Sequence, residues 1–119
     1  MLAGSLLFGL PGCTQRQGIN YQKVLIRATD ELYQADLARD RGQRPLARKH
    51  YKLARENYEA VLRQKPSLMF YHNYVELAFV CEQLGDAAAA DRYLVLAEKE
   101  KERRGNSYDI MFASIAEQA

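Results

Sequence analysis

Residues 74–86 read Tyr74-Val75-Glu76-Leu77-Ala78-Phe79-Val80-Cys81-Glu82-Gln83-Leu84-Gly85-Asp86, and four alanines follow, Ala87 to Ala90. The apolar positions recur at steps of three and four, the period of one face of a helix. The run halts at Gly85, a residue that closes helices in the left-handed conformation, and Asp86 offers the acceptor that opens the next one. The stretch therefore predicts a helix end, a tight turn and a helix start. Working back from it, Tyr71, Tyr74, Leu77, Ala78, Cys81 and Leu84 form the buried face, with Ser67 as the helix cap. Working forward, Ala87 to Ala90, Leu94 and Ala97 carry the stripe into a charged run from Glu98 to Arg104, which ends at Gly105.

The same pattern stands 43 residues upstream, around Gly42. Ala47, Tyr51 and Ala54 follow Gly42 at offsets of five, nine and twelve, as Ala90, Leu94 and Ala97 follow Gly85, and an alanine lies seven before each glycine (Ala35, Ala78). Leu25, Ala28, Leu32, Ala35 and Ala38 give the first helix, from Tyr21 to the Gly42-Gln43-Arg44-Pro45 turn. Pro45 suits a first helical turn, where its missing N–H costs nothing, and Ala47, Tyr51, Ala54, Tyr58 and Val61 carry the second helix to Lys65-Pro66. Asn106 or Ser107 begins a short last helix, a terminal cap, with Tyr108, Met111, Phe112 and Ile115 on one side. No segment alternates with the period of a strand, so the expected class is all-α: two antiparallel helix hairpins plus a C-terminal capping helix.

The repeat resembles the tetratricopeptide repeat (TPR), a helix-turn-helix unit in which small residues let two helices approach closely. The second copy carries most of the signature, whereas Glu31 and Gln34 of the first stand where an aromatic and a leucine are preferred. The glycine spacing exceeds the usual ~34 residues, so the hairpin arms are longer. An unrelated antiparallel four-helix bundle is the alternative. The resemblance implies a right-handed solenoid fragment whose first helices line a concave protein-binding groove: Thr29, Tyr33, Asp36 and Asp40 from the first copy, His72, Val75, Glu76, Phe79 and Gln83 from the second. Tyr33, Val75 and Phe79 are expected there as exposed apolar groups. Members of the family that clamp a chaperone's C-terminal carboxylate use asparagine and lysine at positions held here by Tyr33, Glu76 and Thr29, so that activity is not implied.

The 119 residues hold 17 basic and 15 acidic side chains, twelve aromatics (eight Tyr, four Phe), three prolines and seven glycines. This composition fits one folded domain and excludes a disordered chain, while the near balance of charge gives no field favouring nucleic acid. The first charge is Arg16, and residues 1–12 form an apolar block too short to span a bilayer but of signal-peptide length. Its end, Leu10-Pro11-Gly12-Cys13, resembles the bacterial lipobox, with two departures: Pro11 at a small-residue position and no basic residue ahead. That resemblance implies removal of residues 1–12, a lipid on Cys13, a polar tether over 13–20 and a helical domain over 21–119. It places the chain in the bacterial cell envelope, on the periplasmic face of the outer membrane. Cys81 is then a small core residue; a Cys13–Cys81 disulfide is the other option.

No P-loop, Gly-x-Ser-x-Gly or His-Glu-x-x-His pattern occurs, and neither His50 nor His72 has a second ligand at metal-binding spacing, so no catalytic residue, cofactor or metal is expected. Both histidines read as surface residues. Arg39, Arg41, Arg44, Arg48, Lys49, Lys52 and Arg55 face the single acid Asp40 over the first turn and the next helix start. This basic patch reads either as a solvated face or as a contact for anionic headgroups or an acidic partner. The expected function is a non-catalytic scaffold binding another envelope protein or peptide; lipoproteins of this kind often serve as assembly factors or pilotins. The alternatives are a soluble cytoplasmic adaptor and a regulatory subunit of an enzyme.

Overall fold

A computed structural model describes residues 18–104 of the chain, and these are all-helical apart from turns. The helices are α1 (Tyr21–Asp40), α2 (Arg44–Gln64), α3 (Tyr71–Gln83) and α4 (Ala87–Arg103), with a 3-10 turn at Pro66–Leu68 before α3. Helix α1 packs on α2, α3 on α4, and α2 joins the two hairpins by packing on α3. Residues 1–17 and 105–119 lie outside the description, so the signal segment, Cys13 and the expected capping helix are not part of it.

The two hairpin turns are built alike. Gly42 and Gly85 adopt φ of 76° and 84°, the left-handed region that penalises a Cβ. In the first turn Gln43 N–H donates to Ala38 O (2.8 Å) and Gly42 N–H to Arg39 O (3.0 Å); in the second Asp86 N–H donates to Cys81 O (2.9 Å) and Gly85 N–H to Glu82 O (3.0 Å). Each is the paired closure that satisfies the last carbonyls of a helix. Their starts differ. Asp86 Oδ1 accepts from Ala89 N–H at 3.1 Å, as expected of the cap, and this bond together with the Arg55 guanidinium holds its carboxyl below the usual range. Helix α2 has Pro45 in its first turn and no side-chain cap from Gln43.

The core follows the predicted stripes with two corrections. Ala28, Ala35, Ala38, Ala47, Tyr51, Ala54, Tyr58, Val61, Tyr74, Leu77, Ala78, Cys81, Ala90 and Ala97 are buried, and Leu25, Leu32, Tyr71 and Leu84 pack against them half-covered. Cys81 is a free thiol at 0% exposure, its pKa raised chiefly by burial. Leu94, however, is 45% exposed although its counterpart Tyr51 is 3% exposed. Tyr51 is covered by the next hairpin through an edge contact with Phe79 of α3, at 6.2 Å between ring centres. No described helix follows α4 to cover Leu94 in the same way.

The second correction is the start of α3. Ser67 does not cap it, because Pro66–Leu68 turn as a 3-10 segment and bury Met69 completely. The helix opens instead at Phe70, whose N–H donates to Oδ1 of buried Asn73 at 2.9 Å. The charged run of α4 is also less solvated than its composition implies. Glu100 is buried, bonded by Arg103 and Arg104, and the Arg104 guanidinium lies 4.0 Å from the centre of the Phe70 ring and donates to Ser67 O.

The matching alanines set how closely the helices approach. Ala90→Leu inserts three carbons where the native side chain is 5% exposed, and the expected cost is ~1–3 kcal/mol. A thermal melt of this variant beside Val95→Leu, at a position 54% exposed, checks it: only the first should lose stability.

Candidate functional site

Helix α1 and the start of α3 border one cleft, and the residues expected to line a groove divide between two roles. Thr29 and His72 share one cleft, of about 420 Å³, walled by Leu25 and Ile26 of α1 and by Leu68 and Phe70 across from them. Tyr33 is 61% exposed on the same face of α1, and Asp40 and Gln83 are exposed further along. Phe79 and Val75 depart from expectation: both are half-buried against the core. Phe79 meets Tyr51 edge-on and carries the Arg39 guanidinium 5.8 Å from its ring centre.

Asp36 and Glu76 are engaged from behind by tyrosines of α2. Tyr51 Oη donates to Asp36 Oδ1 at 2.6 Å and Tyr58 Oη to Glu76 Oε1 at 2.7 Å. Burial, and then the bond to Asp36, pushes the Tyr51 hydroxyl up to about 12; the same pair of causes raises Tyr58. A third such tie, Tyr93 Oη to Glu59 Oε2 at 2.6 Å, joins α4 to α2. These pairs were invisible in the sequence because the partners lie 15, 18 and 34 residues apart.

The basic patch is not one surface. Arg39 is paired with Asp36 and Asp40, and Arg55 with Glu59 and Asp86, the latter at 3.1 Å across to the second turn. Arg55 thus ties α2 to the second turn, whereas both ion pairs of Arg39 lie within α1 and its link to α2 is the hydrogen bond that Nη1 donates to Tyr51 Oη at 3.2 Å. Arg44 and Arg48 converge with Arg39, Tyr51 and Gln83 on a cleft of about 450 Å³ where α1 ends, α2 begins and α3 ends. Lys49 and Lys52 line a second cleft of about 450 Å³ with Pro45, Leu53 and Glu56, and Arg48 borders both clefts. Arg41 stands exposed in the turn. His50 also departs from its expected surface role: Nδ1 lies 2.6 Å from Glu31 Oε1, with both side chains about three-quarters covered. That pair explains why an acid stands at position 31, where the resemblance prefers an aromatic.

Two exposed apolar groups lining the cleft of Thr29 and His72 were not among the expected residues, Ile26 at 62% and Phe70 at 36% exposure. The signal for Ile26 was available, since it precedes Thr29 by three and Tyr33 by seven residues on one helical stripe. Among the described residues no group of three or more His, Cys, Asp or Glu side chains could hold a metal ion, and no helix is long and apolar enough to cross a membrane. No family model, curated protein or solved structure matches the chain.

Proposed function

We propose that the chain is a non-catalytic interaction scaffold of the tetratricopeptide type, tethered by a lipid on Cys13 in the bacterial envelope, and that the face shared by α1 and α3 holds a segment of another protein. The observation that carries this reading is the exposure of Ile26 and Tyr33, two large apolar side chains on one stripe of α1 at 62% and 61%. The stripe opposite, through Ala28, Ala35 and Ala38, is already buried against the rest of the molecule. A helix with its core face satisfied gains nothing by exposing a second apolar stripe unless another molecule covers it. The duplicated turns support the solenoid arrangement, because one hairpin geometry repeated in series is how such arrays are made.

Tyr33→Asp tests the groove. Melting temperature should move by no more than the ~0.5 kcal/mol typical of surface changes, while a photo-crosslinking side chain at position 33 should yield one discrete covalent partner in cells. The same reagent at exposed Lys99 of α4 should yield none. Identical adducts from both positions, or adducts that survive Ile26→Asp, count against the groove. The anchor has its own test in the intact mass of the membrane-extracted protein: a diacylglycerol-modified chain beginning at Cys13 supports the envelope address. An unmodified chain beginning at Met1 makes a soluble adaptor with the same groove the better reading.

A further inference from the structure

Two clefts, one between α1 and the start of α3 and one where α1 and α3 end beside the start of α2, have opposite chemistry. At one end Leu25, Ile26 and Leu68 with Phe70 make an apolar seat. At the other, three guanidinium groups and the Gln83 amide converge. Arg39 is committed to Asp36 and Asp40, but Arg44 and Arg48 have no carboxylate partner among the described residues. From Ile26 to Arg39 on α1 is thirteen residues, and from Phe70, at the start of α3, to Gln83 also thirteen. At the rise of a helix both rails give about 20 Å.

We propose that the groove is a two-point site for a partner segment bearing an apolar side chain at one end and a carboxylate pair at the other. Ile26 and Phe70 seat the apolar end, and Arg44 and Arg48 hold the acidic one. The proposal rests on the reading of this face as protein-binding and adds the partner's chemistry and direction to it. Guanidinium forks match carboxylates in paired hydrogen bonds, and such bonds strengthen in a recess walled by three helices. The groove's own acids do not occupy these arginines, since Asp36 and Glu76 are held by Tyr51 and Tyr58. Arg48 also borders the neighbouring cleft of Lys49 and Lys52, so an anionic bilayer is the competing ligand that the vesicle arm of the test separates. An extended strand advances about 3.3 Å per residue, so the apolar and acidic groups should stand about six residues apart.

The test uses the full chain and fluorescein-labelled peptides with a leucyl-phenylalanyl head, a glycine–serine spacer of one to ten residues, and a tail of two glutamates or two lysines. Anisotropy should give at least ten-fold tighter binding for the glutamate tail, tightest near a separation of six residues. The double variant Arg44→Glu with Arg48→Glu should reverse that preference; if circular dichroism finds it unfolded, Arg44→Gln with Arg48→Gln should abolish the preference instead. Equal binding of both tails that Ile26→Asp abolishes overturns the acidic end while leaving the groove. Absence of binding by every peptide to the parent chain sinks both. The assignment also falls if the arginine variants lose binding to phosphatidylglycerol vesicles while the peptide preference stays put.

Discussion

Tyr58→Ala is expected to cost about 3–5 kcal/mol, the range for removing a buried aromatic ring. Tyr58 is at 0% exposure in the middle of α2 and its hydroxyl crosses to Glu76 on α3. The substitution therefore opens a cavity at the junction of the hairpins and strips a half-buried carboxylate of its donor. A domain this small has about 5–15 kcal/mol in total, so the loss takes a large share. Thermal unfolding followed by circular dichroism should place the midpoint at least ~12 °C lower, given about 4–8 °C per kcal/mol. Tyr58→Phe separates the two contributions: it keeps the ring and removes only a charge-assisted hydrogen bond, worth ~1.5–3 kcal/mol. Equal midpoints for the two variants would mean that the ring contributes little and that the packing account of this junction is wrong.

The second large effect lies outside the helices. Met69→Ala should cost about 2–5 kcal/mol, as for other buried aliphatic truncations, because Met69 sits at 0% exposure in the connection between hairpins. Met69→Leu conserves volume and should lose less than ~1.5 kcal/mol. Urea unfolding of the three proteins provides the check. A midpoint for the alanine variant within error of the parent would show that the linker is not part of the core.

Met69 also shows where reading the chain stops working. Glycines 42 and 85, the cap at Asp86 and Pro45 in the first turn of α2 were all legible because each acts through its own backbone. Helical period likewise marked Ala54, Val61 and Leu77 as core. A buried residue in a loop has no period, so Met69 gave no signal beyond its apolar neighbours Leu68 and Phe70. Period reports which face is covered but not what lies across from it. Leu94 fell on the correct stripe and is still exposed, no described helix lying across it, and Phe79 fell on the opposite stripe yet leans into Tyr51. For the candidate site the limit was sharper. Seven basic residues formed one patch on paper, whereas three-dimensional pairing removes Arg39 and Arg55 from it and sends Lys49 and Arg44 to different clefts.

The serial packing of the helices has a kinetic consequence. Each helix rests mainly on the one before and the one after it in the chain, joined by three-residue turns at 41–43 and 84–86 and a six-residue connection at 65–70. Little loop entropy is lost before contacts form, so the chain belongs among domains that fold in microseconds to milliseconds. Among the described helices α1 and α4 make few contacts with each other. Opening from one terminus can proceed hairpin by hairpin, and a bound segment that touches both α1 and α3 would act as a clasp across the seam where the molecule most readily parts.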